Sequence, residues 1–183
     1  MEKTRINAFL TELAFQCAFA ERIYQELDFA LDNNGNSLLI FCRLQSFLGA
    51  AANISKLLFG DHTAKGKIAF TAREPLRSAL GVRDGDFTHA RSVRNRFEHL
   101  DEDLDEWWEA STGKNFEDCS VEIDGYKMTN LPEEDKFRIF NRTTGVLSVR
   151  RGHSVNVHDL MTEIGTLEES LRITGVLTQY IKT

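Results

Sequence analysis

Apolar residues recur at steps of three and four along the first third of the chain. Ile6, Phe9, Leu10, Leu13, Cys17, Ala20, Ile23, Tyr24, Leu27 and Leu31 fall on one face of a helix wound at 3.6 residues per turn, which predicts a helix over about Asn7–Leu31. The run Asp32-Asn33-Asn34-Gly35-Asn36 then reads as a turn, with Gly35 suited to a positive φ. A second helix is predicted over Ser37–Phe59. It is apolar on more than one side, which fits a helix at the centre of a bundle, and Gly60 fits the left-handed position just past its end. Only two prolines interrupt the whole chain, which favours long helices.

The loop Gly60–Lys67 reads as polar and flexible. A short helix is expected over about Ala72–Leu80, with Pro75 early and Gly81 closing it. Asp86 is a plausible cap for a fourth helix over Phe87–Trp108. In that helix Ala90, Val93, Phe97, Leu100, Leu104 and Trp107 alternate steps of three and four without a miss. Helical periodicity stops after Ser111. The segments KFRIFN and VLSVRRGHSVNV, with TTG between, then read as short strands and tight turns, forming a hairpin or three-stranded element. A last helix should begin near Asn156 or His158 and reach Tyr180, facing inward through Leu160, Ile164, Leu167, Leu171, Val176 and Leu177. The expected fold is mainly all-α. It is a single domain over 1–183, a four- or five-helix up-and-down bundle over about 5–110 and 156–181, with a small antiparallel β insertion over about 120–157 before the last helix.

Several function classes lose their support here. Three cysteines with no CxxC spacing, and histidines with no HExxH or paired-ligand spacing, give neither a disulfide framework nor a metal site. Cys17 and Cys42 read as buried packing residues. No Walker loop or GxGxxG is present, so no cofactor is called. The amphipathic N-terminus lacks a signal-peptide pattern, and no run approaches the ~18 apolar residues of a membrane span, so a cytoplasmic protein with no membrane contact is expected. Trp107-Trp108 reads as a packing pair at a helix end. Tyr126 and Phe140 would stack on bases only from an exposed hairpin.

The chemistry concentrates in Arg91–Leu100, RSVRNRFEHL. On a helical wheel Ala90, Val93, Phe97 and Leu100 share one side. Arg91, Asn95, Glu98, His99 and Glu102 fall opposite, and Arg94 lies at the border. An ordinary solvated face, with Arg94 and Glu98 as an i,i+4 pair, is one reading of this pattern. The other comes from the run Arg94-Asn95-Arg96-Phe97-Glu98-His99, which resembles the R-x4-6-H signature of HEPN-domain ribonucleases. There the residue after the Arg is often polar and the motif sits late in an all-α bundle. The resemblance covers the helical part and not the β segment.

The resemblance implies a metal-independent endoribonuclease in a toxin–antitoxin or phage-defence setting. It also implies a homodimer that brings two motifs to one cleft, and an antitoxin partner such as a minimal nucleotidyltransferase. In that scheme His99 is general base or acid, Arg94 stabilises the phosphate, and Asn95 positions. Glu98, pairing with Arg94 or tuning His99, is secondary, as is Arg91. The residue types suit the reaction. Attack of a 2′-OH on the adjacent phosphate needs a group that moves protons near neutral pH and a cation for the developing charge. Net charge is −6, so RNA would have to meet a local patch. Residues 65–96 hold eight basic and three acidic side chains, a local excess of +5. The seven carboxylates from Glu98 to Glu109 would repel RNA, or meet the basic β segment of Lys136, Arg138, Arg142, Arg150 and Arg151. The alternative on the same residues is a non-catalytic nucleotide- or RNA-binding module, or a protein-assembly surface.

Overall fold

The computed structural model describes residues 3–60, 64–123 and 131–175, with side chains from 67 onward in the second stretch. The helices are α1 (Lys3–Asp32), α2 (Ser37–Phe59), α3 (Ala64–Ala72), α4 (Glu74–Leu80), α5 (Thr88–Glu98), α6 (Leu100–Ala110) and α7 (Val157–Ile173). The strands are β1 (Ser120–Glu122), β2 (Arg138–Asn141), β3 (Val146–Val149) and β4 (His153–Asn156). The molecule is mainly helical, with a small four-stranded sheet directly before its last helix.

The predicted stripe of α1 is its buried face: Leu13, Cys17, Ala20, Leu27 and Leu31 all turn inward. α2 begins where Asn36 Oδ1 accepts from Leu39 N at 2.9 Å, and it ends at Gly60, whose φ is 80°. α1 packs along one side of α2 and α5 along another, while α7 closes on α1. α2 is long and apolar enough to cross a membrane by length and composition, contrary to the expectation that no run comes near this. Eleven of its residues are buried against its neighbours, which accounts for that apolarity as core packing.

Details of the turns differ from the sequence reading. In the α1–α2 turn the positive φ falls on Asn34, at 52°, and not on Gly35. Gly35 answers a close approach instead: a Cβ there would stand 2.8 Å from the Ala30 carbonyl oxygen, which Gly35 N contacts at 2.7 Å. Residues 64–67, read as loop, belong to α3. Cys42 is exposed, because it lies on the side of α2 that α1 and α5 leave open, whereas Cys17 is buried and its thiol is pushed up to about 12 by that burial and by Glu168. α4 matches expectation, with Pro75 in its first turn and Gly81 left-handed at φ 67°.

The sheet order is β1-β2-β3-β4. β2–β3 and β3–β4 are antiparallel, but β1 runs parallel to β2, pairing Ser120 with Ile139 and Glu122 with Asn141. The insertion is therefore mixed and four-stranded, because the chain returns to β2 in the direction it left β1. Phe140, Leu147, Val149 and Val155 join the helical core, so Phe140 is buried, not an exposed stacking surface. Tyr126 lies outside the described residues. Trp107 packs edge-on against Phe116 and Phe137 and donates Nε1 to Asp135 Oδ1 at 2.8 Å; Trp108 stays exposed. Asn156 caps α7 by accepting from His158 N and Asp159 N. Val176 and Leu177, expected to extend the α7 face, lie outside the described residues.

Candidate functional site

The predicted fourth helix is two helices. α5 ends at Glu98, His99 adopts φ −105° and ψ 35°, and α6 starts at Leu100. Neither proline nor glycine causes the break. Beyond it the buried residues are Asp103 and Trp107, while Leu100 and Leu104 are half-buried. Asp103 Oδ1 sits 3.2 Å from Arg96 and 3.0 Å from Arg151 in the turn before β4. Turning a carboxylate inward between two guanidiniums requires α6 to rotate away from the α5 register. Arg151 also pairs with Glu106, so among the described residues the ion pairs between the acidic run and the β segment are made by Arg151, while Lys136, Arg138 and Arg142 pair with Glu133, Asp118 and Asp32.

The start of α5 is set differently from the expectation as well. Asp86 does not cap the helix: its Oδ2 accepts from Arg83 N at 2.9 Å and closes the preceding turn. Phe87 is left-handed at φ 61°, and its N–H donates across to Glu163 Oε2 of α7 at 3.1 Å. Ala90, Val93 and Phe97 then face the core.

The other side of α5 borders a cavity of about 900 Å³. Its walls come from α2 (Ser55, Phe59), α3 (Lys67, Phe70, Thr71), the turn at Asp84-Gly85, α5 (Thr88, Arg91, Ser92, Asn95, Arg96), His99, Glu102 and His153 of β4. That size and mixture of polar and apolar lining suit a small ligand or one end of a larger one. The apolar wall is the Phe59–Phe70 stack, with ring centroids 6.2 Å apart and the Arg77 guanidinium 4.0 Å from the centre of Phe70.

Of the five candidate site residues Arg91, Arg94, Asn95, Glu98 and His99, three meet on this cavity. Asn95 and His99 are exposed to it, and Arg91 is buried in its wall. His99 Nδ1 lies 2.9 Å from Glu102 Oε1. Arg94 and Glu98 form an ion pair with each other and are not part of the cavity lining. Sequence spacing missed His153, whose Nδ1 lies 2.5 Å from Ser92 Oγ. Nothing local could have linked residues 61 positions apart; the contact exists because β4 packs on α5.

The expected basic patch has a different use. Three of its arginines converge on the C-terminal turn of α2. Arg73 donates to the carbonyls of Lys56 and, at 3.0 Å, Leu57; Arg77 donates to Leu58 at 3.0 Å; Arg91 donates to Gly60 at 2.7 Å. The last carbonyls of a helix have no partner within it and carry its negative dipole end, so guanidiniums satisfy them on both counts. Arg77 is buried, and it also bonds Phe70 O at 2.8 Å and Glu74 Oε2 at 2.6 Å. Much of the local positive excess is thus committed to structure. Among the described residues no cluster of three or more His, Cys, Asp and Glu could hold a metal.

No family model, curated protein or solved structure matches the chain.

Proposed function

We propose that the chain is a metal-independent endoribonuclease of the HEPN type. The observation that carries this reading is the meeting of Arg91, Asn95 and His99 on one cavity, at the motif that prompted the resemblance. In the reaction the RNA 2′-OH attacks the adjacent phosphorus, His99 takes its proton, and the P–O5′ bond breaks to leave a 2′,3′-cyclic phosphate and a 5′-OH. Asn95, one turn from His99, positions a phosphate oxygen. Because Arg94 is paired with Glu98 off the cavity lining and Arg91 is held by the Gly60 carbonyl, positive charge beside the phosphate comes in this reading from Lys67, which makes no ion pair among the described residues. Glu102, rather than Glu98, orients the His99 ring.

The homodimer, the toxin–antitoxin or phage-defence setting, the cytoplasmic location and a partner such as a minimal nucleotidyltransferase belong to the same proposal and rest on the resemblance alone. Cleavage of RNA in EDTA, abolished in His99→Ala at unchanged melting temperature, is the expected result. A wild-type protein that cuts no RNA at any concentration refutes it. One observation favours a second reading: with Arg94 held by Glu98, the motif lacks its arginine at the cavity, as suits a module that binds RNA or nucleotide without cutting. Equal RNA binding by wild type and His99→Ala, with no cleavage by either, is the outcome that reading expects.

A further inference from the structure

The two histidines of the cavity have partners of opposite kind. His99 Nδ1 faces a carboxylate, Glu102 Oε1, at 2.9 Å. An ionised carboxylate only accepts, so Nδ1 keeps its proton and Nε2 is left with a lone pair, the form of a base. His153 Nδ1 faces a hydroxyl, Ser92 Oγ, at 2.5 Å. A hydroxyl can accept from Nδ1–H, which the ring carries both as an imidazolium and after it has given up the Nε2 proton, so Ser92 holds Nε2 free for proton transfer in both states. Both rings are exposed to the same cavity. The charged groups that share it are Lys67 from α3, Asp84 from the turn before α5, Arg91 and Arg96 from α5, and Glu102 from α6.

The geometry points to His153 as the general acid that protonates the leaving 5′-oxygen, with His99 as the base and Ser92 as the residue that positions the acid. This rests on the ribonuclease reading above but replaces the two-copy site that the resemblance implies, because both histidines come from one chain. The proton leaves the 2′-OH to His99 Nε2, the 2′-O–P bond forms, the P–O5′ bond breaks, and the 5′-oxygen takes the proton of His153 Nε2. Two protonation states are then needed at once, His99 neutral and His153 charged, which gives a bell-shaped dependence of rate on pH.

The test uses two substrates: an oligoribonucleotide, and uridine 3′-(4-nitrophenyl phosphate), whose nitrophenolate departs without a proton. His153→Ala is expected to slow oligoribonucleotide cleavage by about 10²–10³-fold, abolish the alkaline fall of the profile, and leave the nitrophenyl ester within about tenfold of wild type. His99→Ala should be slow on both substrates and lose the acidic rise. His153→Asn, which keeps a polar partner for Ser92 but moves no proton, should behave as His153→Ala. Equal losses on both substrates for His153→Ala, or no loss, overturn the assignment while the ribonuclease reading stands. Activity regained on mixing the His99→Ala and His153→Ala proteins also overturns it, because the two histidines would then come from different copies. Wild-type protein inactive on both substrates removes the reading and the assignment together.

Discussion

The arginine cluster at the end of α2 and the polar face of the cavity treat their charges in opposite ways. On the α2 side Arg73, Arg77 and Arg91 are turned onto carbonyls and a carboxylate within the fold. On the α5–β4 side Asn95, His99 and His153 stand exposed, and each histidine has one ring nitrogen engaged. Charge held by the backbone contributes to stability; polarity left facing a cavity contributes nothing to folding that an alanine would not. Basic residues counted along the sequence cannot be sorted into these classes, since only the three-dimensional partner decides.

Mutations in the two groups should separate stability from activity. The largest loss is expected at Arg77→Ala, which leaves the Leu58 and Phe70 carbonyls without this donor and empties a buried site: about 3 kcal/mol, read from the urea midpoint. Arg91→Ala removes one buried bond to Gly60 and should cost about 1–2 kcal/mol. If it costs nothing, the end of α2 is not held as described. Arg94→Ala breaks only a half-exposed i,i+4 pair and should cost about 0.3 kcal/mol. His99→Ala and Asn95→Ala should move stability by no more than about 0.5 kcal/mol in either direction while cleavage is lost. A loss of about 2 kcal/mol or more at either would erase the distinction between the two groups.

A carboxylate supplies the contrary case of a half-buried charge beside its like. Burial, and secondarily Glu21, raises the Glu168 carboxyl above its ordinary value, with Arg172 opposing. Between the unfolded and the raised folded pKa the native state holds more protons, so its contribution is present at low pH and lost as pH rises through the folded value. Glu168→Gln should therefore flatten the decline in stability from acid toward neutral pH. Stability curves with the same pH dependence in wild type and Glu168→Gln would show no such burden.

How much of this could be read from sequence depended on the range of the interactions. α2 was legible to its ends because the turn Asp32–Asn36, Gly60 and the apolar run are all local signals. The break at His99 was not, since the stripe from Ala90 through Trp107 runs through it unbroken. What rotates α6 is Asp103 seeking Arg151, a residue from another element. α3 was hidden by a polar stretch that forms a helix whose Phe70 packs on Phe59. At the site the stripe of Arg91, Asn95 and His99 was legible by wheel geometry. His153 was not, because a strand brings it there.

The arginine cluster also dictates an order of events. α1 and α2 are joined by a short turn and can associate early, through contacts close in sequence. The final turn of α2 cannot close its carbonyls until Arg73, Arg77 and Arg91 arrive on two later segments. That turn should fray until α4 and α5 dock. In hydrogen exchange under native conditions, amides at residues 56–60 should then open together with those of α4 and α5, as one cooperative unit distinct from the α1–α2 hairpin.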